Sequence, residues 1–457
     1  MNNKNTFNPF RRLHFYAAWF ITPLLLTLTL SGIGFLFYTD IENSIYEKEF
    51  FGSSPLQEQQ SIDEAIQAIE KEYPEYLVSK ISMMDEPYND RVTISNVDGD
   101  SLYIFLDDNN QIVTSQNTKN TYSNFMRNFH SSLLTESTFV RYLVELTACW
   151  TVFLIISGIY MTFKKKLLAK KAGKSSNKLK FQKIHAMIGL VITIPLIVII
   201  ITGIPWSVFM GSHISKLGQE YPQLGRTELR NNPPQSDIDE IPWATRSLNP
   251  PVSEHTAGHG DHHPAVHTRA SNPNQQSLEH IISNVQNENI TKPYSIVYPV
   301  DELGVFTVSK GSNTGVTGLD VSPYEETTAY FDQYSGEFIA RVNFDDYGII
   351  GKWFTWGIPL HEGHLFGLAN KIMNLLVCIA FLTAIVMGFL SWMKKIQPGN
   401  LNLPKRTNKP WSIGAVLTLL ILGILMPLFG LSVLVIFVIE SIIYISTKNK
   451  KTTTFAG

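Results

Sequence analysis

Four long stretches of the sequence carry no Asp, Glu, Lys or Arg, and they limit what this chain can fold into. They cover residues 14–39, 146–163, 186–215 and 372–393. A helix needs about 20 apolar residues to cross roughly 30 Å of hydrocarbon, so each stretch predicts a membrane span. A fifth apolar tract at 411–447, interrupted by Pro427 and Gly430, predicts a helical hairpin.

Basic residues beside these stretches predict which side of the membrane each end faces. Arg11 and Arg12 precede the first stretch, a lysine-rich segment at 164–183 follows the second, and more basic residues follow the fourth stretch and end the chain. Cytoplasmic loops are enriched in Lys and Arg. We therefore predict six spans with both termini in the cytoplasm.

This topology places two polar, domain-sized segments outside the cytoplasm. Each has a stretch of helical spacing, at 62–69 in the first and 278–285 in the second. Alternating runs predict strands at 91–97, 101–106, 294–299, 304–309 and 328–341. Each segment is therefore predicted to form a small α+β module, and the stretch between Pro222 and Asn274, which lacks periodicity, is predicted to be an insertion.

The two halves of the chain repeat each other. RLHFYAAWFITPLLLTLTLSGI pairs with KIHAMIGLVITIPLIVIITGI, and a glycine stands eighteen positions after each histidine, from 14 to 32 and from 185 to 203. Pro23 and Pro195 lie at nearly equivalent points between them. Before the second span of each half, His130 precedes Gly158 by 28 positions, and His361 precedes Gly388 by 27 (130 to 158, 361 to 388). A duplicated plan of span, outer module, histidine segment and span follows.

The repeated histidines form two predicted pairs, one at each face of the membrane. His14 and His185 lie at the inner ends of the first and third spans, and His130 and His361 lie toward the outer ends of the second and fourth. Two neutral imidazoles on facing helices can ligate haem iron. We predict two haem b groups held without covalent attachment, because the only cysteines, Cys149 and Cys378, form no CxxCH motif.

Other interpretations of these residues stay open. A single histidine in such a position is more often an interfacial residue that contacts headgroups or backbone. Glycines at positions 32, 158, 203 and 388 could let a porphyrin plane approach the helix backbone, or they could serve ordinary helix packing. His364 lies three residues after His361, roughly on the same helical face, and could ligate haem in its place or contact a propionate.

The insertion contains a second group of histidines. They are His255, His259, His262, His263 and His267. Such density suggests a copper, nickel or zinc site, but no zinc-type spacing is present, so a solvated loop is the competing interpretation. The sequence has no P-loop, GxSxG, HExxH or GxGxxG motif, so an electron donor is predicted to be a separate cytoplasmic partner. A formal net charge of -2 argues against nucleic acid as a partner.

The motifs RRLHFYAAWF, NFHSSLL, KIHAMIGL and LHEGHLFG, with the duplicated modules, resemble the PepSY-associated transmembrane family of iron-regulated membrane proteins. Some members are inner-membrane ferrisiderophore reductases. The resemblance implies that His14, His185, His130 and His361 ligate haem, and that electrons pass from a cytoplasmic reductase, nicotinamide or flavin donor to a ferric siderophore or another iron chelate outside. It also implies a location in the bacterial plasma (inner) membrane.

The predicted fold is a polytopic α-helical membrane protein with duplicated transmembrane helix pairs, four core spans plus a C-terminal hairpin, and two extracytoplasmic α+β PepSY-like modules. Its predicted segments are 1–39, 40–125, 126–164, 165–184, 185–215, 216–355, 356–395 and 396–457. The alternative function is a non-enzymatic PepSY-type membrane regulator that binds a secreted protease, a peptide or a metal, with structural histidines.

Overall fold

A computed structural model gives the fold and describes residues 7–56, 58–135, 137–168, 177–221, 224, 275–299, 304–311, 316–396, 404, 411 and 413–453. The chain divides into two compact units. We call Met1–Leu30, His130–Ser212 and Met373–Gly457 the membrane unit, and Ser31–Phe129 and His213–Ile372 the sheet unit.

The helices and strands follow one another along the chain. The helices are α1 (Phe7–Phe35), α2 (Tyr38–Ile45), α3 (Glu47–Phe51), α4 (Ile62–Glu72), α5 (Tyr122–Ser132), α6 (Thr138–Lys164), α7 (Asn177–Val191), α8 (Thr193–Gly203), α9 (Phe209–Glu220), α10 (Leu278–Asn287), α11 (Ile349–Glu362), α12 (Gly367–Met393), α13 (Ile413–Leu425) and α14 (Pro427–Thr453). The strands are β1 (Leu77–Met83), β2 (Asp90–Ser95), β3 (Ser101–Leu106), β4 (Ile112–Asn117), β5 (Tyr294–Val297), β6 (Val305–Lys310), β7 (Thr327–Asp332) and β8 (Phe338–Asn343).

Among the described residues, three single helices are long and apolar enough to cross a membrane: α1 over Phe10–Phe35, α6 and α12. The third span was predicted as one continuous stretch. The structure divides it into two helices, α7 and α8, with a bend of 58° between them. Pro195 accounts for the break, since its ring clashes with the carbonyl of the residue four positions earlier, Val191, which is the last residue of α7. Pro23 lies within α1, which continues through it.

The predicted C-terminal hairpin consists of α13 and α14, which approach closely where Gly423 meets Gly430. The hairpin packs against α1 and α6 through an apolar cluster that includes Ile21, Phe153 and Phe429. Polar contacts join the same helices. The Trp150 indole of α6 donates to Ser432 Oγ of α14 at 3.0 Å, and Arg12 Nη2 of α1 lies 2.7 Å from Glu440 Oε1 of α14. The hairpin is thus part of the helical core of the membrane unit.

Within its described residues, the sheet unit contains one antiparallel sheet of eight strands in the order β4-β3-β2-β1-β5-β6-β7-β8. The two predicted modules each supply a helix and a four-strand meander, and they join where β1 pairs with β5, with Ile81 opposite Ile296. A single apolar core beneath α4 and α10 contains residues of both halves, among them Ile69 and Val285. The modules therefore share one sheet and one core.

A carboxylate of the first half also caps the helix of the second. Asp63 on α4 accepts hydrogen bonds from the backbone N–H groups of Leu278 and Glu279 at 2.8 and 3.1 Å, at the start of α10. The first turn of a helix has unpaired N–H groups and a partial positive charge, so a carboxylate stabilises it.

We expect Asp63→Ala to lower the free energy of unfolding by about 1 kcal/mol, because loss of a capping acceptor typically costs that much. Thermal unfolding of the detergent-purified protein measures the change. Asp98→Ala, at an exposed acid in the turn between β2 and β3, is the control. Equal melting temperatures for the two variants would show that the cap contributes nothing.

Candidate functional site

The membrane unit brings His14 of α1 and His185 of α7 together. Their ring centres are 6.5 Å apart, and the ring planes are almost perpendicular, at 89°. The two residues are 171 positions apart in the chain (185 minus 14), so helix packing, not local sequence, creates the pair. We call this arrangement the inner histidine pair.

Hydrogen bonds from helices α6 and α12 orient both rings. His14 Nδ1 lies 2.7 Å from Ser157 Oγ on α6, and His185 Nδ1 lies 2.7 Å from the carbonyl oxygen of Ala384 on α12. A carbonyl only accepts, so His185 carries its proton on Nδ1. Ser157 donates its own proton to the Phe153 carbonyl, which leaves its oxygen to accept from His14 Nδ1. In both residues Nε2 is therefore the nitrogen with an available lone pair.

Glycines make room for these rings. A Cβ added to Gly158 would lie 3.6 Å from His14 Cε1, and one added to Gly388 would lie 3.2 Å from His185 Nδ1. The sequence suggested that these glycines serve a porphyrin or ordinary helix packing. Both lie directly beside an imidazole of the inner histidine pair, at contacts between helices, and the porphyrin interpretation stays a prediction.

The spacing of the inner histidine pair suits one metal atom between two imidazoles. An imidazole nitrogen binds a metal at roughly 2 Å and lies about 1.1 Å from its ring centre, so two such rings across a metal have centres about 6.2 Å apart. The observed 6.5 Å is close to that value. Within the described part of the chain, no three His, Cys, Asp or Glu side chains are grouped to hold a metal ion.

The outer histidines lie on helices distinct from the adjoining spans. His130 lies in the last turn of α5, and the chain then passes through Leu133 and Leu134, both with positive φ, before α6 begins. His361 lies in the last turn of α11, which ends at Gly363 in a left-handed conformation with φ of 90°. Since His130 belongs to the membrane unit and His361 to the sheet unit, their predicted pairing stays a prediction.

His364 does not share a helical face with His361, contrary to the sequence interpretation, because α11 ends between them. Its Nε2 lies 3.6 Å from Asp320 Oδ1, and its Nδ1 lies 3.9 Å from Glu362 Oε2. Burial lowers the pKa of His364, and Asp320 opposes that change. Loss of hydration likewise raises the pKa of Asp320, against the effect of His364 and Lys371. Both ring nitrogens of His364 thus face carboxylates.

The histidines of the insertion, at positions 255, 259, 262, 263 and 267, lie outside the described residues. The suggested metal site there stays a prediction.

Sequence reasoning overlooked two side chains of α6, Ser157 and Glu145, that form hydrogen bonds with other helices of the membrane unit. Ser157 stands next to Gly158, and its role depends on the neighbouring helix, which the sequence does not show. Glu145 is buried within α6 and accepts hydrogen bonds from the backbone N–H groups of Phe209 and Met210 at 2.8 and 3.0 Å, at the start of α9.

A comparison with protein families matches residues 11–395 to a family described as the PepSY-associated TM region. No curated protein matches the chain. The match covers both halves of the repeat and ends before α13, so the C-terminal hairpin lies outside the matched residues.

Proposed function

The chain belongs to the PepSY-associated transmembrane family and is a membrane protein, and on that premise we propose that it is a haem-containing electron-transfer protein that reduces ferric siderophore or another ferric chelate for iron acquisition. The inner histidine pair is the observation that carries the proposal. Two imidazoles from different spans are 6.5 Å apart, and each Nδ1 is engaged by a group of a neighbouring helix.

His14 and His185 would hold a haem through their Nε2 atoms, and the haem would supply one-electron transfer between its ferric and ferrous states. The residues of this chain hold and orient the imidazoles. Ser157 and the Ala384 carbonyl engage the Nδ1 atoms and so leave Nε2 of each ring as the nitrogen that would ligate iron, and such partners of ligating histidines also raise their basicity. Gly158 and Gly388 let the rings lie against the helix backbones.

The proposal includes a direction for electron flow. We assign α1, α6, the bent pair α7–α8 and α12 as four core spans and α13–α14 as the hairpin, with both termini in the cytoplasm of a bacterium and the sheet outside its plasma membrane. His130 and His361 would hold the second haem near the outer face. One electron passed outward converts one chelated Fe(III) to Fe(II), which hard-oxygen chelators bind more weakly, so the iron is released.

A visible spectrum of the detergent-purified protein tests the proposal. We expect sharp bands on reduction with dithionite and about two haem groups per chain. Proteoliposomes loaded with a reductant should then reduce an external ferric chelate, with Fe(II) trapped by a coloured chelator. A colourless protein that binds no added haem would contradict the proposal and favour a membrane regulator in which the sheet binds a peptide or protease.

A glycine substitution tests the inner site. We expect Gly388→Ala to weaken haem binding there by about tenfold, because its methyl group displaces His185 from the Ala384 carbonyl, and orienting partners of metal-bound histidines are typically worth 10–100-fold. Gly158→Ala, with a Cβ contact of 3.6 Å, should have a smaller effect.

Titration of the haem-free protein with haem measures these changes. Gly189→Ala on α7, whose added Cβ would meet nothing within 4 Å, is the matched control and should bind haem normally. If Gly388→Ala bound haem as tightly as Gly189→Ala does, the ring would not depend on this glycine.

A further inference from the structure

Four positively charged side chains meet at the end of the membrane unit where α1 begins. Arg11 belongs to the first turns of α1 and Lys178 to the first turn of α7, Lys165 directly follows α6, and Lys395 lies two positions after the end of α12. We call these four residues the cationic cluster. Each helix that contributes to the inner histidine pair thus supplies one cation.

Aromatic contacts between the helices bring these ends together. The Phe10 ring of α1 lies 5.2 Å from Tyr160, in the last turns of α6, and the Phe15 ring of α1 lies 6.1 Å from Trp392, in the last turn of α12. Arg11 stands between these two phenylalanines in the sequence. Helices α6 and α12 therefore end beside the part of α1 that contains Arg11.

The positive charges of the cationic cluster act on one another. Burial lowers the pKa of Lys165, and the charges of Arg11 and Lys178 lower it further. Burial likewise lowers the pKa of Lys395 to about 8, with Arg11, Lys178 and Lys165 acting in the same direction. Because like charges held close together repel, an anion that binds among them is favoured.

Two members of the cationic cluster lie on the helix faces that carry the inner histidine pair. Arg11 is three positions before His14 on α1 (14 minus 11), and Lys178 is seven positions before His185 on α7 (185 minus 178). Residues spaced by three or seven positions share one face of an α-helix. Each histidine therefore has a cation one or two turns away on its own helix.

The other two members follow the glycines that face the imidazoles. Lys165 comes seven positions after Gly158, and Lys395 comes seven positions after Gly388 (165 minus 158, 395 minus 388). The two halves of the chain thus place a lysine at the same spacing from the histidine contact. The repeat includes these cations as well as the histidines.

Basic residues are enriched at the cytoplasmic ends of spans, where they meet water or lipid headgroups, and that is the competing interpretation. Arg12 illustrates a different fate, since its Nη2 lies 2.7 Å from Glu440 Oε1. The cationic cluster differs from a general excess of positive charge because its members come from four helices and are in register with one site.

We infer that the cationic cluster binds the two propionate carboxylates of the haem held by the inner histidine pair. This inference rests on the proposed function, and it gives that haem an orientation, with its propionates toward the end of the membrane unit where α1 begins. A porphyrin ring is apolar, but its propionates are charged, and a carboxylate among apolar helices is costly unless cations pair with it.

The phosphate of an anionic lipid offers the same oxyanion chemistry, so the test separates the two sources. The haem-free, full-length protein in phosphatidylcholine nanodiscs, which lack anionic lipid, is titrated with haem and with haem dimethyl ester, whose propionates are uncharged. We expect Lys395→Gln to weaken one of the two haem-binding steps about tenfold, because a hydrogen bond to a charged group contributes about that much, and to leave ester binding unchanged.

Lys394→Gln is the matched control, because Lys394 is the exposed neighbour of Lys395, and it should bind both compounds as the unmodified protein does. Equal haem binding by the two variants, or the same loss with the ester as with haem, would overturn the inference. A difference between the variants that arises only when phosphatidylglycerol is added would assign the cationic cluster to anionic lipid and overturn it too.

A measurement on the unmodified protein keeps the inference open to test if Lys395→Gln does not fold. The ester should bind at least tenfold more weakly than haem in one binding step, and equal affinities for the two compounds would contradict the inference. The same titration separates the two proposals. Normal haem binding with equal affinity for the ester rejects the role of the cationic cluster alone, whereas absence of haem binding rejects the proposed function.

Discussion

His14→Ala and His185→Ala should each abolish about half of the haem bound by the purified protein. Each substitution removes one of the two imidazoles of the inner histidine pair, whose ring centres are 6.5 Å apart, and leaves the outer histidines in place. A haem held by side-chain ligands alone, with one ligand gone, is readily lost during purification. The haem-to-protein ratio of each variant measures the effect.

Two further variants sharpen this prediction. Ser157→Ala removes the oxygen that accepts from His14 Nδ1 but keeps both imidazoles, so we expect haem affinity about tenfold weaker, short of complete loss. His280→Ala, at a histidine on α10 of the sheet unit, is the control and should keep the full amount. Full occupancy in both His14→Ala and His185→Ala would show that the inner histidine pair does not hold haem.

The inner histidine pair could be predicted because the sequence repeats. A histidine at a matched depth in two spans predicts that both side chains reach the same level, and the structure brings them together. The partners of their Nδ1 atoms could not be predicted in the same way. Ser157 and the Ala384 carbonyl belong to other helices. Every residue has a backbone carbonyl, so the sequence does not indicate which carbonyl accepts from a given histidine.

The start of α6 was harder to predict, because a distant segment of the chain provides hydrogen bonds to a buried acidic residue within this helix. The second span was predicted from residue 146, because Glu145 ends the charge-free stretch, yet α6 begins at Thr138. Glu145 is tolerated within the helix because two backbone N–H groups of α9 donate to it. That compensation comes from a segment more than sixty residues further along the chain.

The sequence also predicted the strands of the sheet only in part. The sequence predicted β2, β3, β5 and β6, but it predicted neither β1 nor the pairing of β1 with β5. Both faces of β1 are covered, and its alternate positions include Lys80 and Ser82, which are almost fully buried, so the strand lacks a hydrophobic alternation. The region from 328 to 341 was predicted to form strands with a turn signal at Ser335-Gly336, and it contains most of β7 and part of β8 on either side of a turn at Gly336, where φ is 74°.

His361→Ala should remove the second haem, whereas His364→Ala should retain it. The sequence left these two histidines as alternatives, and their surroundings now differ. His364 is held between Asp320 and Glu362, so both of its ring nitrogens face carboxylates, and ligation would require it to leave them. His361 remains in helix α11, ahead of the turn at Gly363.

The two variants are only three positions apart, so each serves as the control for the other. We expect His361→Ala to bind about half the haem of the unmodified protein, as His130→Ala should, and His364→Ala to bind nearly all of it. The combination of His14→Ala with His361→Ala should be colourless, since no complete pair is left. Loss of haem in His364→Ala together with full occupancy in His361→Ala would reverse the assignment, and it would mean that haem binding draws His364 away from Asp320.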